Sequence, residues 1–568
     1  MALSLRRGRQ LRISRRARYD VQYSQPTRIP YATKVGNHSG PSSFLLWVSC
    51  LLLGALTPTW AQSSSATLWS VSRIEIHGTQ RTHDQIVRRE LLFAVGDTVD
   101  AALIEETERN LRRLLFLGDV HLRLIPDLPS TSTATAAATN PPPISEADPW
   151  AARESEIEPA RVVVEVAERY ARALSPLLEG ESNELSFGVV ALDYNFLGRA
   201  QVTQVTLFHD AIAGNEVRTT YREPRLGGSR LALRLSVAWA GDEGHDVSMS
   251  LSQPFYALDT RWAYGLSMLR DRQRQRLYLA GDLAARYDDQ ATGSALWLVH
   301  SRDVGPYKLR PGLRLAFSDR SFAADAPFTY QPTERRRVVP SLSVTLWRPR
   351  YSRERFVRGL GHMEDLQTGG WLTAQAGMSA RSLGSDRNYP VFAIQWAPRG
   401  RPTDDSFLFG VASVSSRWRD GTPWHVIASA VGSGYLRLWN QHVLAARIAI
   451  HALHRPEDTG SQLLLGIDTG LRGYSARQFD GSRRALASIE ARPVFWRHPQ
   501  AVIGAALFAD AGTAWTPGLI PRRWVSSVGA GLRLGLPTVY DAPVLRADLA
   551  HGLDGARLQM SLGLGHAF

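Results

Sequence analysis

The first candidate functional segment of this chain is a short arginine motif made of Leu471, Arg472, Gly473 and Tyr474. An arginine beside a glycine suits a tight loop, because the backbone bends freely there and one planar guanidinium can be directed at an acidic partner. Apolar residues precede the motif and alternating apolar residues follow it, so we predict a loop that connects two strands. The alternative is a plain hairpin with an exposed arginine.

Two carboxylates further along the chain could receive this arginine. Asp510 lies among small residues in one predicted strand, and Asp548 lies beside apolar residues in another. Strand alternation sends both side chains to the face opposite their immediate neighbours, which suggests the inner face of a closed sheet. Because a buried arginine without a carboxylate is costly, we predict that Arg472 pairs with Asp510, and that Asp548 and Gly512 line the same site. Two unrelated inner-face charges are the alternative.

Enzyme chemistry finds little support in the sequence. Asp468, Thr469 and Gly470 match the triplet of aspartic proteases. That reaction needs two carboxylates that share a proton, and this triplet leads directly into the Arg472 motif, where it is better explained as the end of a strand. The 15 histidines show no HExxH spacing, and no G-x-S-x-G, Walker or dinucleotide-binding motif is present. We therefore predict no enzyme activity, no metal site and no cofactor.

The elements that would position these residues are β-strands. After Glu168 the chain alternates apolar and polar residues with a period of two, as in 231–239, 247–251 and 342–346. The same alternation runs through the C-terminus and predicts a last strand that ends on the aromatic residue Phe568. A transmembrane barrel needs one lipid-facing side and closed edges. We predict such an antiparallel barrel over residues 182–568, with about 16 strands at roughly 24 residues per strand and loop. A soluble β-sandwich or propeller is the alternative.

The first 61 residues read as a basic extension followed by a signal peptide. An apolar stretch over 44–56 precedes Thr59, Trp60 and Ala61, which suit a signal cleavage site, and Cys50 is removed with it. Residues 1–42 hold a net charge of +8, so most of the chain's +13 is discarded. The basic balance therefore gives no reason to expect a nucleic-acid partner. A lipoprotein cut before Cys50 is the alternative.

A small α+β domain with the order β-α-α-β-β is predicted over residues 70–170. Its helices are expected from about Thr82 or Asp84 and from about Asp100 to Leu117. A segment rich in Thr, Ala, Pro and acids, 126–160, interrupts the domain and is predicted to be a disordered insertion, because it cannot bury enough apolar surface to fold. The ordered series 71–78, 89–91, 96–97, 117–120 and 162–168 resembles the POTRA module.

The barrel region resembles the barrel-assembly superfamily of outer-membrane proteins, which is BamA-like and TamA-like and has the two-partner secretion transporters as relatives. The matching segments are 192–199, 253–256, 261–262, 470–474, 508–515 and 529–533. The resemblance implies a sixteen-stranded barrel in the bacterial outer membrane, with a periplasmic POTRA domain and a sixth extracellular loop that brings Arg472 to Asp510. Phe568 would be the C-terminal barrel signal.

The resemblance also implies an insertase or translocase. Its POTRA domain would receive an unfolded outer-membrane or secreted client by strand addition, and the seam between the first and last strands would open sideways. The partners implied are outer-membrane lipid and these clients, together with periplasmic chaperones or accessory proteins. A passive channel or porin and a dedicated two-partner secretion transporter are the alternatives.

Overall fold

The computed structural model describes residues 12–13, 67–127, 157–168, 170–181, 184–361, 363–439, 441–458, 460–536, 544–555 and 558–568. Most of the predicted extension, signal peptide and insertion lies outside these ranges. The chain divides into a small unit, 40–171 with 197–200, and a large unit, 1–39, 172–196 and 201–568. A two-residue strand, β1 (Arg12–Ile13), pairs with residues 277–278 of the large unit.

The small unit is a four-stranded sheet with two helices. Its elements are β2 (Trp69–His77), α1 (Asp84–Arg88), β3 (Thr98–Val99), α2 (Ala101–Arg112), β4 (Leu117–Pro126) and β5 (Glu158–Glu168), and the sheet order is β3-β2-β5-β4. The side chain of Asp100 caps α2 by accepting the N–H of Leu103 at 2.8 Å. The helix ends at Arg112 rather than the predicted Leu117, because Leu117 already pairs in β4. No helix in the described ranges is long and apolar enough to cross a membrane.

The large unit is an antiparallel barrel. Its main sheet contains 24 segments; β1 lies at its margin, and β14, β21 and β28 continue β13, β20 and β27, so the described chain supplies 20 barrel strands. The segments of this unit are β6 (Arg172–Glu181), β7 (Glu184–Phe196), β8 (Gln201–Asp210), β9 (Gly214–Glu223), β10 (Ala232–Trp239), β11 (Gly244–Gln253), β12 (Trp262–Leu279), β13 (Asp282–His300), β14 (Arg302–Val304), β15 (Tyr307–Ala324), β16 (Arg335–Trp347), β17 (Tyr351–Arg355), β18 (Met363–Gln367), β19 (Trp371–Ser379), β20 (Tyr389–Ala397), β21 (Arg399–Thr403), β22 (Ser406–Arg419), β23 (Thr422–Leu438), β24 (His442–His454), β25 (Leu463–Leu465), β26 (Phe479–Gly481), β27 (Arg483–Arg492), β28 (Val494–Arg497), β29 (Val502–Trp515), β30 (Val525–Gly535), β31 (Leu545–Gly552) and β32 (Leu558–Leu564).

The outer face of the barrel carries apolar side chains. Leu298, Leu313 and Leu342 lie side by side across three neighbouring strands, and all three are exposed. The alternate positions of the strands point inward and include buried Asp289 and Ser341. This division gives lipid an apolar surface and confirms the predicted transmembrane barrel preceded by a POTRA-like domain.

The predicted number of about 16 strands is too low. The prediction allowed roughly 24 residues per strand and loop, whereas β8, β9, β10 and β11 place four strands within residues 201–253. Short turns such as the one from Asp210 to Gly214 leave more of the chain for strands. The first barrel strand also begins at Arg172, before the predicted boundary at 182.

The barrel closes through a thin seam. The first strand, β6, pairs with β7 along its whole length. Within the described residues it pairs with the last strand, β32, at two positions, Glu181↔Ser561 and Gly180↔Leu562. The neighbouring pair β31 and β32 is matched over seven positions, from Leu545↔Leu564 to His551↔Leu558. The first and last strands are therefore joined by far fewer backbone hydrogen bonds than ordinary neighbours in this barrel.

The prediction that the last strand runs to the final residue is wrong. The strand ends at Leu564, and Gly565 has a φ of +79° that turns the chain away from the sheet. The carbonyl oxygen of Phe568 accepts a hydrogen bond from Arg492 Nη2 at 2.9 Å, and its ring packs against an apolar cluster inside the barrel. These inner contacts outweigh the local alternation, which would have placed Phe568 on the lipid face.

Two connections fold into the barrel. The lumen loop (residues 455–482) joins β24 to β27 and contains the paired strands β25 and β26. The inner hairpin (residues 351–367) lies between β16 and β19 and consists of β17 and β18. Connections in an antiparallel barrel alternate between its two ends, and β24 is the fifteenth barrel strand while β16 is the tenth. The lumen loop and the inner hairpin therefore enter from opposite ends.

Candidate functional site

The tip of the lumen loop is shaped by glycine. Gly470 and Gly473 have φ values of +104° and +81°, which other residues adopt only with strain. A Cβ atom on Gly473 would lie 3.0 Å from the backbone nitrogen of Gly552 and 3.1 Å from Cβ of Ser527. The loop can approach β30 and β31 this closely because position 473 has no side chain.

Apolar contacts seat the loop against the wall. Leu471 and Tyr474 are buried in a cluster with Leu465, Leu486, Ala514 and Val525. The hydroxyl of Tyr474 donates to the carbonyl oxygen of Ser526 at 2.8 Å. A Cβ atom on Gly512 would lie 3.4 Å from Cδ1 of Leu471, so this glycine leaves room for the loop. Between these contacts, Arg472 is directed into the lumen.

Arg472 is held by three carboxylates from three strands. Its Nε and Nη2 donate to the two oxygens of Asp510 at 2.7 and 2.8 Å, the paired geometry that arginine offers a carboxylate. Its Nη1 donates to Glu490 Oε1 at 2.5 Å and lies 3.5 Å from Asp548 Oδ2. The Phe508 ring centroid lies 3.4 Å from Cζ. The arginine side chain is only 1% exposed, so these contacts replace its hydration.

Further arginines balance the acidic partners. Arg533 Nη1 and Arg546 Nη1 donate to Asp548 at 2.6 and 2.9 Å. Arg492 Nε donates to Glu490 Oε2 at 2.8 Å. With Arg472 and Asp510, these residues form a buried network of alternating charge. Removing Arg472 would take from Asp510 its paired guanidinium and leave a buried excess of negative charge. The arrangement is suited to holding the loop in one position.

The structure brings Arg472, Asp510 and Asp548 together, and Gly512 contributes by its small size. Phe568 reaches the same network through Arg492. Sequence reasoning missed Glu490, although a signal was present. The apolar residues that follow the motif, Ala485, Ala487 and Ile489, alternate with a period of two. Glu490 therefore falls on the other face of this strand, which is the face that Asp510 shares on neighbouring β29. The functional role of this network remains a prediction.

The loop differs in position from the one that the resemblance implies. It connects the fifteenth and sixteenth barrel strands, which makes it the eighth connection at its end of the barrel rather than the sixth.

Asp468, from the protease-like triplet, accepts the backbone N–H of Arg477 at 3.0 Å and so fixes the loop backbone. Within the described residues, no group of three His, Cys, Asp or Glu side chains could hold a metal ion.

One family model matches part of the small unit of this chain. Residues 70–121 match the POTRA family model, described as a surface antigen variable number repeat. Among solved structures, BamA from Haemophilus ducreyi lacking POTRA domains 1–3 is 14% identical, with 88% of this chain and 85% of that chain covered and a TM-score of 0.41. CdiB from Acinetobacter baumannii is 12% identical, with 88% and 74% covered and a TM-score of 0.45.

CdiB from Escherichia coli is 12% identical, with 90% of this chain and 93% of that chain covered and a TM-score of 0.36. At these scores the structural likenesses carry no argument about function. No curated protein matches the chain. The predicted combination of a POTRA-type domain with a β-barrel is confirmed by the family match at 70–121 and by the fold itself.

Proposed function

We propose that the chain is a bacterial outer-membrane protein that inserts or translocates unfolded client polypeptides, with its POTRA-type domain in the periplasm. The observation that carries this proposal is the union of three features in one chain: a POTRA family match, a barrel with a thin seam, and a buried arginine loop in the lumen. The network around Arg472 fixes the loop and so keeps the barrel wall beside the seam in register.

The small unit offers an edge for an extended client. Strand β3 pairs with β2 only at Trp69 and Ser70, and β4 forms the other edge of the sheet. An edge strand presents unpaired N–H and C=O groups along one side, and an extended peptide can add to it as a further strand. This mode recognises the backbone, so it suits clients of many sequences.

After a client has bound to the small unit, the seam between β6 and β32 is the place where it would enter the barrel wall. Each interior pair of barrel strands is joined by a longer ladder, whereas β6 and β32 share two residue pairs in the part of the chain that the structure describes. Opening the barrel there breaks the fewest backbone hydrogen bonds, and the exposed edges can pair with a client strand instead. A client can then leave sideways into lipid, or pass through the opened lumen.

The filled lumen favours this function over a passive channel. The lumen loop and the inner hairpin occupy the interior from opposite ends, and both are held by buried contacts. A porin requires an open aqueous path. Reconstituted protein should therefore show low resting conductance, and a steady large conductance would favour the channel instead.

The test is to deplete the protein and to inventory the outer membrane by quantitative mass spectrometry. Wild-type protein should restore the depleted clients, while Arg472→Ala and a protein locked by a Glu181→Cys/Ser561→Cys disulfide should not. The matched control is Val205→Cys/Thr219→Cys, which joins register partners on β8 and β9 away from the seam. Full activity of the locked seam, or an unchanged inventory after depletion, would refute the proposal.

A further inference from the structure

A second charged site holds the lumen loop near the rim of the barrel. Asp458 receives Arg335 through two hydrogen bonds, Nη1 to Oδ1 at 2.5 Å and Nη2 to Oδ2 at 2.8 Å. Glu457 accepts from Arg417 Nη1 at 2.7 Å and also from Arg337. The two acids lie in the loop, whereas the three arginines come from β16 and β22. We call these five residues the rim anchor.

The rim anchor is buried rather than a surface ion pair. The arginine side chains are 10%, 12% and 3% exposed for Arg335, Arg337 and Arg417, and both acids are also mostly covered. Exposed ion pairs contribute little, but three guanidinium groups brought together away from water repel one another unless carboxylates lie between them. Glu457 and Asp458 supply those carboxylates.

The rim anchor and the Arg472 network have opposite polarity. At the network the loop brings a cation to acidic strands, and at the rim anchor it brings two acids to basic strands. The two sites also lie on separate parts of the wall, since β27, β29, β30 and β31 supply the network while β16 and β22 supply the rim anchor. A loop with this charge pattern fits the barrel in one orientation only.

We propose that Glu457 and Asp458 are positioning residues, and that the rim anchor is a second docking point that must open, together with the Arg472 network, before the lumen loop can leave the lumen. The inference rests on the proposed function for its purpose, because a translocating barrel has to move or bypass this loop. The docking of the lumen loop at the rim anchor follows from the hydrogen bonds described above and does not depend on the proposed function.

The test measures how fast the loop becomes accessible in folded protein. A reporter cysteine at Ser461, next to the rim anchor, is labelled with a bulky maleimide in Glu457→Gln/Asp458→Asn and in otherwise unchanged protein. The loss of charge-assisted bonds at the rim anchor should raise the labelling rate by about tenfold, because hydrogen bonds to charged groups each contribute about 1.5–3 kcal/mol. The matched control is Asp420→Asn, which neutralises an exposed acid in the β22–β23 turn at the same end.

A charge exchange separates direct pairing from general loosening. Asp458→Arg alone should speed labelling, and Asp458→Arg with Arg335→Asp should return it towards the starting rate. Only material that shows the heat-modifiable gel migration of a folded barrel is scored, so misfolding is not read as release. Unchanged labelling in Glu457→Gln/Asp458→Asn, or no recovery in the exchanged pair, overturns the inference. Client delivery is not part of this measurement, so its outcome is independent of a failure of the proposed function.

Discussion

The lumen loop and the inner hairpin both lie inside the barrel, but different kinds of contact hold them there. Both bring a connection into the barrel, but the lumen loop is fixed by Arg472 among three carboxylates, whereas the inner hairpin is fixed mainly by apolar side chains. The cluster around the hairpin consists of Phe356, Val357, Leu360, Leu366, Phe407, Phe409, Tyr435, Val443, Ala445, Val494, Val502 and Val544. The inner hairpin also contains the buried acid Glu354, whose carboxylate pairs with Arg401 and Arg437.

The difference concerns what each contact specifies. Apolar packing depends on volume and tolerates exchange between side chains of similar size. A buried ion network depends on charge, distance and direction, so it fixes one register and loses much of its stabilisation when one member is removed. The lumen loop is therefore the more exactingly positioned segment, and the inner hairpin the more tolerant one.

The largest effect is expected from Arg472→Ala. It leaves Asp510, Glu490 and Asp548 without this partner, and breaking a buried pair typically costs about 3–5 kcal/mol. The measurement is urea unfolding of the barrel in lipid vesicles. Arg472→Lys should lie between wild type and Ala, because it keeps the charge and loses the paired geometry. Equal stability of Ala and wild type would remove the proposed contrast between the two segments.

Leu360→Ala tests the apolar side of the comparison. Leu360 is buried, and its Cβ would lie 2.8 Å from a Cβ atom on Gly535, so the truncation leaves a cavity at a close contact. We expect a loss of about 2–5 kcal/mol in the same unfolding measurement. Leu360→Met should cost less than about 1.5 kcal/mol, because it conserves volume. A large loss with Met would show that the hairpin is as exacting as the loop.

Gly473→Ala separates backbone shape from charge within the loop. An alanine held at a φ of +81° should cost about 1–2 kcal/mol, with a further loss from contact with β30 and β31. The matched control is Gly518→Ala, at a φ of +77° with nothing within 4 Å of the added carbon. If both changes cost the same, the close approach of the loop tip contributes nothing.

The smallest effect is expected outside the barrel, where a carboxylate is only partly buried. Burial acts to raise the pKa of Glu168, but hydrogen bonds from the Thr82 side chain and from the backbone N–H groups of Thr82 and Arg81 outweigh it, so the pKa is lowered. Both backbone bonds are 2.9 Å long. Glu168→Gln should cost the small unit about 1 kcal/mol at neutral pH.

This contribution should depend on pH in a defined direction. Because the folded pKa of Glu168 lies below the ordinary value of 4.5, the stabilisation is complete above that pH and is lost as the pH falls through the lowered pKa. Unfolding of the small unit at pH 7 and at pH 3 should therefore show a smaller difference between Glu168→Gln and wild type at the acidic pH. Glu158→Gln, at an exposed position, serves as the control, and an equal gap at both pH values would contradict the assignment.

The two kinds of domain and the inward direction of the candidate residues could be predicted from local sequence patterns. Alternation with a period of two is a local property, so it indicated the barrel strands, the lipid face and the inward direction of Asp510 and Asp548. The glycines on either side of Arg472 marked it as a residue whose side chain is directed at a partner. The alternation that places Ile489 on the outer face would also have placed Glu490 among the inner-facing candidates.

Local patterns did not predict the number of strands, the inward turn of Phe568, the inner hairpin or the rim anchor, because these features depend on contacts between distant parts of the chain. Arg472 meets Glu490, Asp510 and Asp548 across separations of 18, 38 and 76 residues, and Arg335 meets Asp458 across 123. Contacts between residues so far apart in the sequence depend on hairpin lengths, on strand register and on closure of the sheet. The physical reason is that alternation assigns each side chain to a face, whereas a contact also requires the same height and neighbouring strands, which the whole barrel sets together.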